Sequence, residues 1–403
     1  MEQKNIKIKK GKEICSACGT APTNHNFMFV IKSIDEAFSK IGGFFFNSPS
    51  GPRWQYTANF IERNLFSIFK FLGLVRYSDD VEKARSGRSK VIWEEAQRRG
   101  IDMKQIVFLG QYIEHYKTNI NGYKFIFQSL PIPPWLPQKG YDWMDDKLIF
   151  AKRLKDAGIP TPATRIITRL KDVSPAFDSL SKPIIIKPKS GSRGRHTTTN
   201  INTLEEARKA FYLAKQITPS MVAQEHLFGS VYRATVVNNT LVGFFRADPP
   251  QVTGDGEHSI LELILEKNKN RNEKLSDILI NDELLNFIKR QEYNLHSILP
   301  TGKTIDLIAK TGRMYGGYTR EMLPEVNKKM FEIFKKAGEV VSVPVAGFDL
   351  IIEDPTADPD NQRWGIIECN SLPFIDLHYF ALEGEPVNIA KYVWDLWSTK
   401  KEK

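Results

Sequence analysis

The stretch from Gly347 to Asn370 constrains the fold of this chain more than any other. It contains two runs rich in β-branched and apolar residues, separated by a polar segment. This pattern predicts two strands joined by a turn. Side chains alternate between the two faces of a strand, so Glu368 and Asn370 should share one face, with Cys369 on the other. Asp349 lies on the partner strand of the predicted hairpin.

Three oxygen-bearing side chains on one face of a hairpin would form a site for a hard cation. Carboxylate and amide oxygens suit Mg²⁺, whose remaining ligands are commonly phosphate oxygens and water. Asp349, Glu368 and Asn370 are therefore the predicted metal ligands. The alternative is a hairpin that carries acidic surface residues, because a Glu-x-Asn motif alone has little specificity.

A second informative segment, from Pro183 to Gly194, favours phosphate binding. It reads as a strand that ends at Lys187, followed directly by a loop of glycine and serine. Glycine lets backbone N–H groups approach an anion closely, and a lysine adds a positive charge. The alternative is a hairpin turn with solvated basic residues, since the segment matches neither a Walker A loop nor the dinucleotide fingerprint. The candidate phosphate contacts in the loop are Ser190, Gly191, Ser192 and Gly194.

Composition narrows the class of protein. A chain of 403 residues can bury a large core and is expected to hold two or three domains or subdomains. Three cysteines are too few for a disulfide framework, which favours a reducing, cytoplasmic setting. The net charge of +10 suits either nucleic acid or a polyanionic small molecule such as a nucleotide. We expect no nucleic-acid partner, because no zinc-finger or RNA-recognition signature is visible, and no membrane span, because no uncharged run is long enough.

Residues 1–140 contain the fewest recognisable sequence patterns. They are predicted to form a separate, mixed α/β N-terminal domain. Cys15 and Cys18 have the Cys-x-x-Cys spacing of half a zinc knuckle, and His25 follows them. Because a second pair of ligands is missing from the sequence, we predict that these cysteines bind no metal. The proline-rich residues 131–137 break regular structure and predict a domain boundary near residue 140.

The order of these features resembles the ATP-grasp superfamily. A helix with Lys147, a strand with Lys187, the glycine loop, the strand that leads into residues 224–227 and the acidic hairpin follow one another in register. The resemblance implies that Lys147 and Lys187 contact the phosphates of ATP while the loop closes over them. It also implies that the hairpin holds two Mg²⁺ ions, for which Mn²⁺ could substitute. The implied adenine-binding residues are Gln224, Glu225, His226 and Leu227.

The same resemblance implies an α+β fold, in which two α+β subdomains grip ATP between antiparallel sheets. With the additional N-terminal domain, the expected division is residues 1–140, 141–230 and 231–403. The second of these carries Lys187 and the glycine loop, and the third carries the metal site.

Within the superfamily, the chain is similar to the ATP-grasp domain of cyanophycin synthetases. The segment Pro249–Ile264, with its Pro-Pro-Gln-Val-Thr-Gly-Asp-Gly run, and Glu368-Cys-Asn-Ser-Leu-Pro-Phe carry this similarity. It covers about residues 145–395. Cyanophycin synthetases have a further ligase domain of the Mur type after the ATP-grasp domain, and we expect this chain to lack it.

The resemblance implies an ATP-dependent carboxylate–amine ligase. ATP would phosphorylate a carboxylate, and an amine would then displace phosphate from the acyl phosphate to form an amide. Arg233 and Arg246 are candidates for binding the acyl phosphate, although either could be a surface arginine of a strand. His258, with the loop Val252–Gly256, could belong to a lid that excludes water. His378 could line the substrate pocket, and its alternative is a structural histidine.

The sequence leaves the substrates and the assembly open. We expect ATP and a small amino acid or peptide as partners, and a homo-oligomer is compatible with the sequence. The alternatives within the superfamily are a D-alanine–D-alanine, glutathione or ribosomal-protein glutamate type of ligase, and a kinase that phosphorylates a small molecule. A non-catalytic nucleotide-binding protein is a further alternative.

Overall fold

The computed structural model describes residue 15 and the ranges 24–30, 32–33, 64–120, 122–137, 139–144, 146–189 and 195–399. The chain divides into two compact units. The division does not decide the predicted domain boundaries at residues 140 and 230, which stay predictions. The first unit comprises Met1–Ile41, Thr164–His226 and Pro249–Gly317, and the second comprises Gly42–Ala163, Leu227–Asp248 and Tyr318–Lys403.

The strands of the described residues are numbered in chain order. They are β1 (Val75–Ser78), β2 (Asp102–Phe108), β3 (Gln111–Ile120), β4 (Tyr123–Gln128), β5 (Thr164–Ile167), β6 (Ile184–Pro188), β7 (Thr198–Ile201), β8 (Met221–Glu225), β9 (Ser230–Val237), β10 (Thr240–Ala247), β11 (Gln251–Thr253), β12 (Thr304–Asp306), β13 (Thr319–Glu321), β14 (Val345–Ile352) and β15 (Gly365–Asn370).

Helices alternate with these strands. Residues 25–30, 32–33 and 64–71 are helical. The helices that follow are α1 (Gly87–Arg98), α2 (Lys147–Asp156), α3 (Val173–Asp178), α4 (Leu204–Lys215), α5 (Ile260–Lys269), α6 (Asp282–Lys289), α7 (Lys328–Val341) and α8 (Ile389–Asp395).

The second unit is built around a five-stranded antiparallel sheet in the order β13-β10-β9-β14-β15. One face of this sheet packs against α2 and α7, in a core that includes Phe150, Phe334 and Phe348. The other face packs against α1, α8 and the four-stranded sheet β1-β2-β3-β4, in a core that includes Trp93 and Trp394. The strand β15 lies at the edge of the central sheet and contacts α2.

The start of α2 is fixed by a side-chain cap. Asp146 accepts hydrogen bonds from the N–H groups of Leu148 and Ile149, which satisfies two donors of the first helical turn. At the other end, Gly158 adopts φ +68°, a left-handed conformation that favours glycine. These caps position Lys147 as the first residue of the helix.

The first unit contains a four-stranded antiparallel sheet in the order β5-β8-β6-β7, with α3 and α4 packed on it. A smaller apolar core joins the β11–β12 pair to α5 and α6. The predicted α+β class is confirmed in both units. In the part of the chain that the structure describes, we find no helix that is both long and apolar enough to cross a bilayer.

Candidate active site

The predicted hairpin is present, and it brings the predicted ligands to one face. Asp349 on β14 pairs with Glu368 on β15, and Gly347 pairs with Asn370. The side-chain amide of Asn370 donates to Oδ2 of Asp349 at 3.2 Å. Cys369 points to the opposite face and is buried in the core, as strand alternation predicts. We call Asp349, Glu368 and Asn370 the hairpin cluster.

Two positively charged side chains contact this cluster. Arg233, on the neighbouring strand β9, donates from Nε to Oδ1 of Asp349 at 2.6 Å and from a terminal nitrogen to Oδ2 at 3.0 Å. The Nζ atom of Lys147 lies 3.6 Å from Oε1 of Glu368, and the lysine is only 5% exposed. The sequence predicts each of these residues as part of a site, but it contains no signal for how they pair.

Burial sets the electrostatics of the cluster. Burial raises the pKa of Asp349 above its ordinary value, and the adjacent Glu368 raises it further, while the Arg233 guanidinium opposes both effects. Two carboxylates directly opposite each other on a sheet repel. A positive charge close to both would therefore stabilise their ionised forms.

The donor set fits a magnesium ion. Two carboxylates and one amide oxygen are ligands that Mg²⁺ accepts, with phosphate and water to complete the octahedron. A carboxylate has about four lone-pair sites, and Arg233 and Asn370 together use three of those on Asp349. Glu368 is 41% exposed at its side chain and remains accessible to a cation.

Arg246 does not join the cluster. On β10 it lies opposite Tyr232, whereas Arg233 lies opposite Phe245. Residues opposite each other in antiparallel strands share a face, so the two arginines project from opposite faces of the sheet. Arg246 instead pairs with Asp248 at 2.8 Å. The structure therefore does not bring Arg246 to the hairpin cluster, and its candidate role at the acyl phosphate has no support from this geometry.

His378 is a structural histidine, so the expectation that it lines a substrate pocket is wrong. Its side chain is fully buried, and its two ring nitrogens contact Oε2 of Glu321 at 2.5 Å and Oγ1 of Thr235 at 2.7 Å. Gly243 makes room for the ring, since a Cβ there would lie 2.5 Å from Cε1 of His378. The sequence carries no signal for this network, which joins residues far apart in the chain.

His258 lies at the surface of the first unit, in a tight loop. Its Nδ1 atom contacts Oδ2 of Asp255 at 2.6 Å, and Oδ1 of Asp255 accepts the backbone N–H groups of Glu257 and His258. The loop is thus ordered by Asp255, just before the N-cap of α5 at Ser259. Its predicted role in a lid stays a prediction.

The contact with Asp255 predicts an unusual titration of His258. The hydrogen bond and the charge of Asp255 raise the pKa of His258 above its ordinary value of 6.5. The contact therefore stabilises the fold fully below pH about 6.5, and this contribution is lost as the pH rises through the raised pKa. An NMR titration should show this shift, and Asp255→Asn should reduce it. A wild-type pKa at or below the ordinary value would contradict the contact.

The remaining nucleotide-binding candidates belong to the first unit, except Leu227, which begins a segment of the second. Lys187 on β6 pairs with Val222 and shares a face with Gln224, whose amide donates to Thr164 at 2.8 Å.

Glu225 lies on the opposite face of the same sheet and accepts a hydrogen bond from the backbone of Ser181. The backbone N–H of His226 donates to Pro183, and Leu227 is buried. The candidate loop residues Ser190, Gly191, Ser192 and Gly194 lie outside the described residues.

The chain is similar in sequence to proteins of known function. No family model matches the chain. Over 252 residues it is 31% identical to a cyanophycin synthetase of Synechocystis sp. The matched region covers 60% of this chain and 29% of that protein. Over 262 residues it is 26% identical to the glutathione biosynthesis bifunctional protein of Clostridium perfringens. This matched region covers 63% of this chain and 34% of that protein. The chain therefore spans about a third of the length of these relatives.

A solved structure decides the fold. The bifunctional glutathione synthetase of Pasteurella multocida superposes with a TM-score of 0.54 at 22% identity, over 77% of this chain and 44% of that chain. The chain has the ATP-grasp fold. The predicted ATP-grasp architecture and the predicted resemblance to cyanophycin synthetase are both confirmed.

Proposed function

We propose that this ATP-grasp protein is an ATP-dependent ligase that joins a carboxylate to an amine through an acyl phosphate. The observation that carries the proposal is the hairpin cluster, with Lys147 and Arg233 in contact with its carboxylates. Oxygen ligands beside fixed cations are what phosphoryl transfer requires, because negative charge develops on the transferred phosphoryl group. The names of its relatives, a cyanophycin synthetase and a glutathione biosynthesis protein, support the same class of reaction.

The hairpin cluster and the two cationic side chains that contact it have different proposed tasks. Bound Mg²⁺ would neutralise charge on the phosphate oxygens and polarise the phosphoryl group. Asp349, Glu368 and Asn370 would hold the metal. The fold family implies two ions at this site. Lys147 would place a point charge at the phosphates. Arg233 uses Nε and one terminal nitrogen for Asp349, and we propose that its other terminal nitrogen, Nη1, donates to the acyl phosphate.

The predicted nucleotide contacts of the first unit stay proposals. We propose that Lys187 and residues 190–194 bind the phosphates of ATP, and that residues 224–227 bind adenine. The acid and the amine are proposed to be amino acids or short peptides, of either a cyanophycin-like or a glutathione-like kind. The cytoplasmic setting, the lack of a nucleic-acid partner and any homo-oligomer stay predictions.

A product screen tests the proposal. The full chain would be incubated with ATP, Mg²⁺ and a pool of amino acids and short acidic peptides, including some that contain Asp and Arg. ADP and new masses would be followed together. A product lighter by one water than the sum of two pool members supports a ligase. ADP release with a phosphorylated product and no amide would instead indicate a kinase.

The two arginines should respond differently in the same assay. Arg233→Gln is expected to lower kcat at least about 100-fold, because it removes a charged donor next to the reacting phosphate. Arg246→Gln serves as the matched variant and should change kcat little, because Arg246 projects from the other face. An equal loss in both variants, measured with the substrate pair that the screen identifies, would contradict the assignment.

A further inference from the structure

Three potential metal ligands meet in the first unit, and none of them belongs to the hairpin cluster. The ligand atoms of Cys15, His25 and His196 all lie within 4.8 Å of one another. The rings of the two histidines meet edge to face, with centroids 4.7 Å apart. His196 is 1% exposed, and the other two side chains are partly buried. The sequence prediction of unligated cysteines rested on missing partners, and His196, 181 residues from Cys15, supplies one.

The distance between two of these atoms suits zinc. The Sγ atom of Cys15 lies 3.7 Å from Nε2 of His196. Zinc bonds of about 2.3 Å to sulfur and about 2.0–2.1 Å to nitrogen, at the tetrahedral angle, place the two ligand atoms about 3.6 Å apart. The observed separation therefore needs almost no adjustment to hold a zinc ion.

The second nitrogen of His196 is anchored as in metal sites. Nδ1 of His196 lies 2.7 Å from the carbonyl oxygen of Leu213 on α4. A carbonyl oxygen only accepts, so Nδ1 carries the proton and Nε2 presents its lone pair towards Cys15. Metal-binding histidines commonly donate their other N–H to a carbonyl or carboxylate in this way.

We propose that Cys15, His25 and His196 bind one zinc ion that links residues 15 and 25 to the segment just before β7. A thiolate with two imidazoles is a ligand set that zinc prefers. Cys18 stands three residues after Cys15, the spacing of zinc-binding cysteine pairs, and lies outside the described residues. His196 follows the candidate phosphate loop closely in sequence, so the ion would also restrain the segment that leaves this loop.

Metal analysis of the full chain tests this proposal independently of any ligase activity. Protein from zinc-supplemented cells, purified without a metal-affinity tag and dialysed, should contain about one zinc ion per chain. His196→Gln and Cys15→Ser should lose most of it. His296→Gln, an exposed histidine of the same unit, and Cys369→Ser, a buried cysteine of the other unit, should retain it.

A second measurement on the wild type protects the test against misfolded variants. The chelated protein, titrated with Co²⁺, should develop a thiolate-to-cobalt charge-transfer band with an end point near one ion per chain. Zinc should then displace the cobalt. A wild type without stoichiometric zinc and without this band would overturn the proposal, as would full zinc retention in a folded His196→Gln. The contact would then be a thiol–imidazole hydrogen bond.

Discussion

Replacing Glu368 by Gln is expected to lower ATP-dependent product formation at least about 100-fold. Glu368 faces Asp349 across the hairpin and contacts Lys147. The amide keeps the size of the side chain but removes the charge that would hold Mg²⁺, so the phosphoryl group would lose its electrostatic partner. Initial rates across a range of Mg²⁺ concentrations measure the effect, and thermal unfolding shows whether the fold is kept.

Glu353→Gln is the matched control for this variant. Glu353 is an exposed acid one residue beyond the end of β14, in the turn of the same hairpin. It should keep the wild-type rate and the wild-type dependence on Mg²⁺. Equal rates in the Glu368 and Glu353 variants would remove the hairpin cluster from the proposed chemistry.

Replacing Glu321 by Ala is expected to have the largest effect on stability, a loss of about 3–5 kcal/mol in the free energy of unfolding. The Glu321 side chain is fully buried and accepts hydrogen bonds from the backbone of Phe244 and Leu323, besides its contact with His378. Alanine would leave these buried donors without a partner. Leaving buried polar groups unsatisfied costs far more than the net gain of an ordinary hydrogen bond.

Urea denaturation measures this loss against Glu325→Ala. Glu325 forms an exposed ion pair with Arg320, and such pairs contribute about 0–1 kcal/mol. Glu321 and Glu325 are only four residues apart in the chain, but the first is buried and the second is exposed. Similar losses in the two variants would contradict the view that His378 and Glu321 form a structural network.

Local pattern was enough to predict the hairpin cluster. Strand alternation depends only on neighbouring residues, so the shared face of Glu368 and Asn370 and the burial of Cys369 could be read from about twenty residues. A helix that contains Lys147 could be predicted from the same kind of local pattern.

Local pattern does not predict which elements pack together. The face of Arg246 depends on the register between β9 and β10, which no local pattern specifies. His378 is buried because residues from three separate segments surround it, including Thr235 and Glu321. The partner of Cys15 lies 181 residues away, beyond the reach of any spacing rule.

Transfer of oxygen from the carboxylate to phosphate tests the central claim most directly. The pool of amino acids and peptides would carry ¹⁸O in its carboxylates, and the released phosphate would be analysed by mass spectrometry. An acyl phosphate forms when a carboxylate oxygen attacks the γ-phosphorus, and that oxygen leaves with phosphate when the amine attacks the carbonyl carbon. The proposed function predicts one ¹⁸O in each phosphate formed with product. Unlabelled phosphate, or a phosphorylated product without free phosphate, would contradict it.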